Sequence, residues 1–230
     1  MNYLLEGLKK AFQLLSTLDR EAVSIALVSL RVSATAVVLA ALAGVPFGFW
    51  VAVRKFRGRR WVVTVLNTLM ALPTVVVGLT VYSFLSRRGP LGSLGILYTP
   101  TAMVIGQFIL ATPIIAALTL TAAQGVDERA GKTAYTLGAT GFQTALVVLS
   151  EARFALLAAV VAGFGRIFAE VGASIMLGGN IRGYTRNLTT AIAFETGKGE
   201  FGLGIALGII LLFVAFVINF LFYYLHKRGE

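Results

Sequence analysis

Five long apolar stretches dominate the chain, at about residues 22–53, 61–85, 98–123, 153–177 and 201–225. Each is long enough to cross a bilayer, since a membrane-spanning helix needs about 20 apolar residues. Pro46, Pro73 and Pro113 lie inside them, and membrane helices tolerate internal proline because neighbouring groups satisfy the freed carbonyls. The alternating pattern of membrane β-strands is absent from the sequence. The pattern therefore predicts an all-α integral membrane protein with five transmembrane helices, in one domain over about residues 22–226.

The first 21 residues have a different pattern, which predicts an amphipathic helix. Apolar residues recur there at helical spacing, with charged residues between them: Leu5, Leu8, Phe12 and Leu15 against Glu6, Lys9 and Lys10. Such a helix either lies in the membrane interface or packs against the helix bundle, and the sequence leaves both open. Asp19 is the expected N-cap of the helix that follows, because its side chain can accept a hydrogen bond from a free N–H group.

Composition narrows the function classes. The 230 residues are 57% hydrophobic and 13% charged, with a mean hydropathy of +0.85, whereas soluble domains carry about 25% charged residues. The chain has no cysteine and one histidine, His226, which argues against disulfides, thiolate nucleophiles and clustered metal ligands. We therefore expect no catalytic residue, no metal and no cofactor on this chain.

The net charge of +10 is unevenly placed. A basic chain can indicate nucleic-acid binding, but in a membrane protein it more often reflects cytoplasmic loops rich in Lys and Arg, so no nucleic-acid partner is expected. The densest cluster lies between the first two apolar stretches: Arg54, Lys55, Arg57, Arg59 and Arg60. This cluster predicts a cytoplasmic loop, which places the N-terminus outside and the C-terminus, with Lys227 and Arg228, inside. The loops at 86–97 and 178–200 then face outward, and that at 124–152 faces inward.

Two pairs of glycines at four-residue spacing, Gly44/Gly48 and Gly204/Gly208, indicate close helix packing. Glycine lets two helix backbones approach each other because it has no Cβ to separate them. Such pairs are found both inside one subunit and between subunits. We favour packing inside one subunit for both pairs.

Residues 124–152 form the longest cytoplasmic connection and contain a short predicted helix. Asp127 and Glu128 are acids where a helix N-terminus favours them, and Gly138 is a suitable terminator. The helix should therefore run from about Asp127 to Leu137.

The run Gly131-Lys132-Thr133 in this connection resembles the end of a phosphate-binding loop. However, five residues separate Gly125 from Gly131, one more than that motif allows, and no predicted strand precedes them. The sequence therefore shows no nucleotide site, and the chain has no visible energy source of its own.

Arg166 and Glu170 are the clearest ionisable pair inside an apolar stretch. Residues four apart share one helix face, and charges at membrane depth are costly unless they are paired. The pair either neutralises itself inside the bundle or lies on a substrate path. If neutralisation is its only role, exchanging the two charges should recover much of what either single change loses.

The outward segment 178–201 is rich in Gly, Thr, Asn and Arg. Its portion 189–194 is too short to cross a membrane and could form a re-entrant or surface helix. Its polar side chains are candidates for a solute path or a partner-facing surface: Asn180, Arg182, Arg186, Thr189 and Thr190. The two arginines could equally be solvated or bind lipid headgroups.

The segment Lys132-Thr133-Ala134-Tyr135-Thr136-Leu137-Gly138-Ala139 resembles the EAA motif of ABC importer permeases of the type I class. In that class the motif forms a coupling helix that lies in a groove of the ATPase subunit. Ala134 and Gly138 match its small positions, while Lys132 and Thr133 replace its first Glu and Ala, and Glu151 stands near where many members have proline. The resemblance implies a coupling helix over about 127–140, with contacts from Asp127, Glu128, Lys132, Thr133, Ala134, Leu137 and Gly138.

Further segments are similar to one branch of that class. Gly165–Ala173 and Gly178–Arg186 look like molybdate-type permeases, and Thr189–Gly199, Leu72–Leu79 and Gly89–Gly92 most resemble the tungstate branch. The resemblance covers about residues 25–225. The chain is accordingly identified as a member of the molybdate/tungstate oxyanion family of ABC permeases, with the type I importer permease fold.

The resemblance implies a permease that moves an oxyanion across a prokaryotic cytoplasmic membrane by alternating access, with tungstate first and molybdate or sulfate as alternatives. Two copies of the chain would form a homodimer with two cytosolic ATPase subunits, which would bind ATP and Mg²⁺. An extracytoplasmic binding protein would deliver the oxyanion. A stand-alone secondary transporter or channel is the alternative from another class. It would need an ion-coupling site and usually internal repeats, and the sequence shows no repeat.

Overall fold

The computed structural model describes residues 3–17 and 19–227, and within that part of the chain every regular element is helical. The α-helices of the described residues are α1 Tyr3–Ser16, α2 Arg20–Val53, α3 Arg59–Met70, α4 Thr74–Leu85, α5 Pro100–Gln124, α6 Glu128–Thr136, α7 Gly141–Glu151, α8 Arg153–Phe168, α9 Gly172–Gly178, α10 Leu188–Gly197 and α11 Phe201–Lys227. A short 3-10 turn, Gly92–Leu94, lies between α4 and α5. The all-α prediction is confirmed. Arg228, counted above among the basic residues of the C-terminus, lies outside the described residues, as does Leu18.

Three of the described helices are long and apolar enough to cross a membrane by themselves: α2, α5 and α11. Two bent pairs could each supply one further span, α3 with α4 and α7 with α8. Counting each pair once gives up to five spans, the predicted number. Pro46 and Pro113 lie within α2 and α5 without ending either helix. At the start of α2, Asp19 is the N-cap that was predicted, since its Oδ1 accepts from the N–H of Ala22 at 2.9 Å.

The second apolar stretch, predicted as one span over 61–85, is divided. α3 ends at Met70 and α4 begins at Thr74. Pro73 explains the break, because proline has no N–H to donate and disfavours the helical conformation in the residue before it, here Leu72. Pro73 is itself extended, with φ −63° and ψ 123°, and leads directly into α4.

The fourth apolar stretch, predicted as a span over 153–177, is divided as well. α8 ends at Phe168, and α9 covers Gly172–Gly178. At its other end α8 meets α7 at 65°, so the candidate span pairs α7 with α8 and leaves α9 outside it. Glu170, directly before the N-cap Val171, satisfies one N–H of the first turn of α9, because its Oε1 accepts from the N–H of Ala173 at 3.1 Å. A side chain that bonds nearby backbone offers the chain an alternative to continuing the helix.

The chain folds into two compact units, and the first contains the described residues of 1–36, 73–107 and 165–230. In this unit α1 packs along α11, where a Cβ added at Gly7 would lie only 2.4 Å from Cγ2 of Ile205. The rest of α1 exposes a row of apolar side chains: Leu4, Leu5, Leu8, Phe12 and Leu15. Of the two alternatives for this helix, packing against the bundle is observed, and the exposed row is suited to contact with lipid.

The second unit contains residues 37–72 and 108–164, and its helices approach closely at the first glycine pair. A Cβ at Gly48 would lie 2.2 Å from the carbonyl oxygen of Ala116, and one at Gly44 would lie 3.0 Å from that of Thr112. Both glycines are on α2 and both carbonyls are on α5. The Gly44/Gly48 pair therefore packs inside the subunit, as favoured from the sequence.

Gly48→Ala is expected to lower the thermal unfolding temperature (Tm) of the purified protein. The added methyl group must push two backbones apart, and overpacking of this kind costs about 1–3 kcal/mol. Gly208→Ala on α11 is the matched control, because a Cβ there would meet nothing within 4 Å. In the same detergent the control should keep or slightly raise Tm, since alanine favours helix over glycine. An equal Tm for the two variants would contradict the close contact between α2 and α5.

Candidate functional site

Residues of the local sequence set both ends of helix α6, which lies in the second unit. Asp127 is its N-cap and accepts a hydrogen bond from the N–H of Arg129 at 2.8 Å. Leu137 ends the helix, and Gly138 follows with φ 88°, a left-handed conformation that glycine adopts without strain. The helix predicted from Asp127 to Leu137 is confirmed, and Gly138 is its terminator.

Glu128 and Lys132 form an ion pair one turn apart on α6, with 2.7 Å between Oε2 and Nζ. The hydrogen bond from Lys132 lowers the pKa of Glu128, and the same bond raises the pKa of Lys132. Because the carboxyl pKa is lowered in the folded state, the pair is fully formed at neutral pH and is lost only as the pH falls through that lowered value. Both side chains are exposed, so water screens the pair and it adds little to stability.

α6 and α7 border an open groove of about 720 Å³. Thr133, Ala134, Leu137 and Gly138 line it. Beside the groove, Tyr135, Leu137 and Phe142 are 71%, 83% and 74% exposed. We call the groove and these three side chains the α6–α7 surface. Large apolar side chains that are this exposed beside a groove are candidates for contact with another protein.

The predicted coupling residues do not all lie on the α6–α7 surface. Four of them line the groove, whereas Asp127 caps the helix and Glu128 and Lys132 pair with each other. Tyr135 and Phe142 were not predicted, although a signal for them was present. Tyr135 is an aromatic residue in the short polar helix α6, which has no core of its own in which to bury a ring, and Phe142 is the second residue of α7.

In the first unit, Glu170 organises the irregular segment between α8 and α9. Its side chain is buried, its Oε2 lies 3.3 Å from Nη1 of Arg166, and its Oε1 accepts from Ala173. Its backbone carbonyl accepts from the hydroxyl of Thr189 at 2.7 Å. The expectation of a shared helix face is wrong, because α8 ends at Phe168 and the ion pair forms across the helix end. Arg166 is 44% exposed, so the acid is the buried member of the pair.

The two threonines predicted to line a solute path are buried and hydrogen-bonded inside the protein. Asn187 is the N-cap of α10, and its Oδ1 accepts from the N–H of Thr190 at 2.8 Å and from the hydroxyl of Thr189 at 2.9 Å. The N–H of Leu188 donates to the hydroxyl of Ser29 at 2.7 Å. These bonds hold the start of α10, which includes the short helix predicted at 189–194.

Five charged side chains connect the loop between α9 and α10 to the start of α2 and the end of α10. We call them the charge cluster. Arg182 donates a hydrogen bond to Glu21, and this bond raises the pKa of Arg182. Arg186 is 13% exposed, with its Nη1 3.5 Å from Oε1 of Glu21 and 3.8 Å from Oε1 of Glu195. Lys198 completes the cluster, with Nζ 3.1 Å from Oε2 of Glu195.

Sequence reasoning found the two arginines of the charge cluster but not their acidic partners. Glu21 and Arg182 are 161 residues apart, so no local pattern connects them. Asn180, the remaining candidate of this loop, has a φ of 51°, and its buried Oδ1 has no hydrogen-bond partner among the described residues. Within the part of the chain that the structure describes, no group of three or more metal-binding side chains is found.

Three proteins of known description are similar to this chain over most of its length. The tungstate uptake system permease protein TupB of Peptoclostridium acidaminophilum is 40% identical over 99% of this chain and 100% of its own length. The protein of the same name from Campylobacter jejuni is 39% identical over 96% of this chain and 92% of its own. The molybdenum transport system permease protein ModB of Escherichia coli is more distant, 30% identical over 82% of this chain and 90% of its own.

A solved structure matches the fold. In the crystal structure of a bacterial ABC transporter involved in the import of the acidic polysaccharide alginate, one chain superposes with a TM-score of 0.75. The match covers 95% of this chain and 83% of that one at 19% identity, so it supports the fold alone. Residues 44–229 match the family model described as Binding-protein-dependent transport system inner membrane component. The chain therefore belongs to this family of inner-membrane permeases.

Proposed function

We propose that the chain is the membrane permease of an ATP-driven importer that carries tungstate into the cytoplasm. The observation that supports this most directly is the similarity to a tungstate uptake permease over nearly the full length of both chains. Molybdate is the second candidate, because it is also a tetrahedral oxyanion with two negative charges and a molybdenum permease is a more distant relative. A path that recognises one ion by charge and hydrogen bonds also attracts the other.

In this proposal two copies of the chain form the membrane core. Two ATPase subunits bind ATP and Mg²⁺ on the cytoplasmic side, and an extracytoplasmic binding protein delivers the oxyanion. The N-terminus lies outside and the C-terminus inside, because short loops rich in Lys and Arg stay in the cytoplasm. Four of the five basic residues between the end of α2 and the first turn of α3 are exposed, which suits a cytoplasmic surface: Arg54, Lys55, Arg57 and Arg60. The fifth, Arg59, donates from Nε to the carbonyl of Val51 at 2.8 Å.

The permease supplies the passage, and the ATPase subunits supply the energy. Closing of the ATPase subunits around nucleotide displaces the permease helices that contact them. The passage then alternates between states that are open to one side at a time. Of the residues proposed for a path or a partner surface, Arg182 is 72% exposed, whereas Thr189 and Thr190 are committed to internal hydrogen bonds. Arg182 is therefore the one best placed to contact a partner.

Proteoliposomes that contain the permease, its ATPase and its binding protein test the transported ion. With ATP inside, they should accumulate tungstate, measured by mass spectrometry of the metal, and a non-hydrolysable ATP analogue should abolish the uptake. Molybdate should compete only at higher concentration than tungstate. Uptake by the permease alone without ATP would contradict an ATP-driven importer. Equal or better transport of molybdate would contradict the choice of tungstate.

The α6–α7 surface is proposed as the contact with the ATPase subunit. Its small residues leave room for a partner, and its exposed side chains would gain about 25 cal/mol for each Å² of apolar area buried. Leu137 is the most exposed of them, and it stands directly before the turn at Gly138. The exposed pair of Glu128 and Lys132 would lie at the edge of such an interface, where polar groups remain in contact with water.

Leu137→Glu should weaken ATPase binding without unfolding the permease, since the side chain is 83% exposed. Central apolar residues of interfaces contribute about 2 kcal/mol or more, so the ATPase recovered with tagged permease should fall by roughly tenfold or more. Leu94→Glu is the matched control, because Leu94 is 58% exposed and lies between α4 and α5. Undiminished ATPase recovery with Leu137→Glu, or an equal loss with Leu94→Glu, would rule out this contact.

For Arg166 and Glu170 we propose a structural role. Both carboxylate oxygens of Glu170 already have protein donors, Ala173 and Arg166, and its carbonyl binds Thr189. A residue on the solute path would instead keep groups available for the solute. A carboxylate also repels an oxyanion, so Glu170 is poorly suited to contact one.

Three changes at this pair separate the two roles. Glu170→Gln keeps an oxygen for Ala173 and loses only the ion pair with half-exposed Arg166, so Tm should fall slightly. Glu170→Leu leaves the N–H of Ala173 without a partner, which costs about 1–3 kcal/mol, and Tm should fall clearly. Exchanging the residues, Arg166→Glu with Glu170→Arg, should not restore Tm, because arginine cannot accept a hydrogen bond.

Two outcomes would argue against the structural role. Full recovery of Tm in the exchanged variant would show that the charges alone matter. Loss of tungstate uptake in Glu170→Gln at an unchanged Tm would show that the carboxylate acts in transport. Arg166→Gln is the control for the ion pair, since it leaves the cap on Ala173 intact.

A further inference from the structure

A cavity of about 440 Å³ lies in the first unit, among the ends of α1, α2, α10 and α11. One part of its wall is apolar and is formed by Leu14, Ala22, Ile25, Ala191, Leu203 and Leu207. The other part consists of the charge cluster together with Asp19. The cavity thus joins an apolar wall to a charged wall, an arrangement that suits an amphipathic ligand.

The charged wall has no net charge. Three basic and three acidic side chains form it: Arg182, Arg186 and Lys198 with Asp19, Glu21 and Glu195. A free oxyanion gains little from such a wall, because the carboxylates repel it while the basic groups attract it. A ligand that carries one positive and one negative group matches the wall better.

Arg186 has unused hydrogen-bonding capacity in this cavity. Its side chain is mostly buried, and its nearest carboxylate oxygens lie 3.5 and 3.8 Å from Nη1, longer than an ordinary N–H···O hydrogen bond. Its Nε is buried and has no hydrogen-bond partner among the described residues. A guanidinium has five N–H donors, and leaving them unfilled when buried costs free energy. An acceptor from outside the chain that bonds the guanidinium would offset part of that cost.

The surroundings of the cavity indicate lipid. Leu14 of its wall belongs to α1, whose exposed row includes Leu8, Phe12 and Leu15. A helix with such a row is typical of the membrane interface, the depth at which lipid headgroups lie. The apolar wall continues along α11, one of the candidate membrane spans.

We propose that this cavity binds the headgroup of a phospholipid that carries an ammonium group, as in phosphatidylethanolamine. The phosphate accepts hydrogen bonds from Arg186, and the ammonium group donates to the carboxylates of Glu21 and Asp19. The first methylene groups of the acyl chains lie against Leu203 and Leu207. Charge-assisted hydrogen bonds of this kind are stronger than neutral ones.

Lipid binding by the purified full-length chain tests the proposal, and native mass spectrometry in mild detergent provides the measurement. Phosphatidylethanolamine should bind more tightly than phosphatidylglycerol, whose headgroup has no positive group. Arg186→Gln should weaken its binding by roughly tenfold, the size of effect that one charge-assisted hydrogen bond produces. Arg88→Gln is the matched control, because Arg88 is exposed and lies outside this cavity.

A second variant probes the apolar wall. Leu203→Trp should fill the cavity and reduce binding as well, whereas Leu212→Trp, at a 71% exposed position of α11, should not. Equal binding of the two lipids by the unchanged protein would overturn the proposal, and that comparison needs no variant. Undiminished binding by both Arg186→Gln and Leu203→Trp would overturn it too. Lipid binding is measured without transport, so the result is independent of the transported ion.

Discussion

Where an apolar helix stops, its free N–H and C=O groups need hydrogen-bond partners, because lipid offers none. The chain meets this need with a few polar side chains at its helix ends. Glu170 bonds the N–H of Ala173, Asn187 bonds that of Thr190, and Ser29 bonds that of Leu188. The short helices α9 and α10 can exist because these bonds are available. These three buried polar side chains therefore serve helix termini.

Hydropathy was sufficient to predict the fold class. Each apolar stretch is longer than a bilayer requires, and that property depends on the residues of the stretch alone. Caps were predictable for the same reason, since Asp19 and Asp127 bond N–H groups two or three residues away. The terminator at Gly138 follows from a preference of one residue type. Features that depend only on neighbouring residues leave a pattern in the sequence, and these were the features that could be predicted.

Breaks and distant pairs were harder to predict. The break at Pro73 had a visible signal, but proline inside a membrane helix is compatible with either outcome, and Pro46 and Pro113 did not end theirs. The break after Phe168 depends on contacts of Glu170 that include Thr189, a residue 19 positions later. The pairing of Glu21 with Arg182 joins distant parts of the chain. Such contacts leave no periodic pattern in the sequence, because they form only when the helices pack.

The contact between α2 and α5 limits how the second unit can move. At Gly44 and Gly48 the two helices approach without a glycine side chain between their backbones. No change of rotamer at these two positions could therefore let one helix slide past the other. Displacement of α5 therefore moves this part of α2 with it, and the two segments behave as one rigid body. Only three residues, Gly125, Val126 and Asp127, separate the end of α5 from the start of α6. A displacement of α6 therefore reaches α5, and with it this part of α2, through a connection of only three residues.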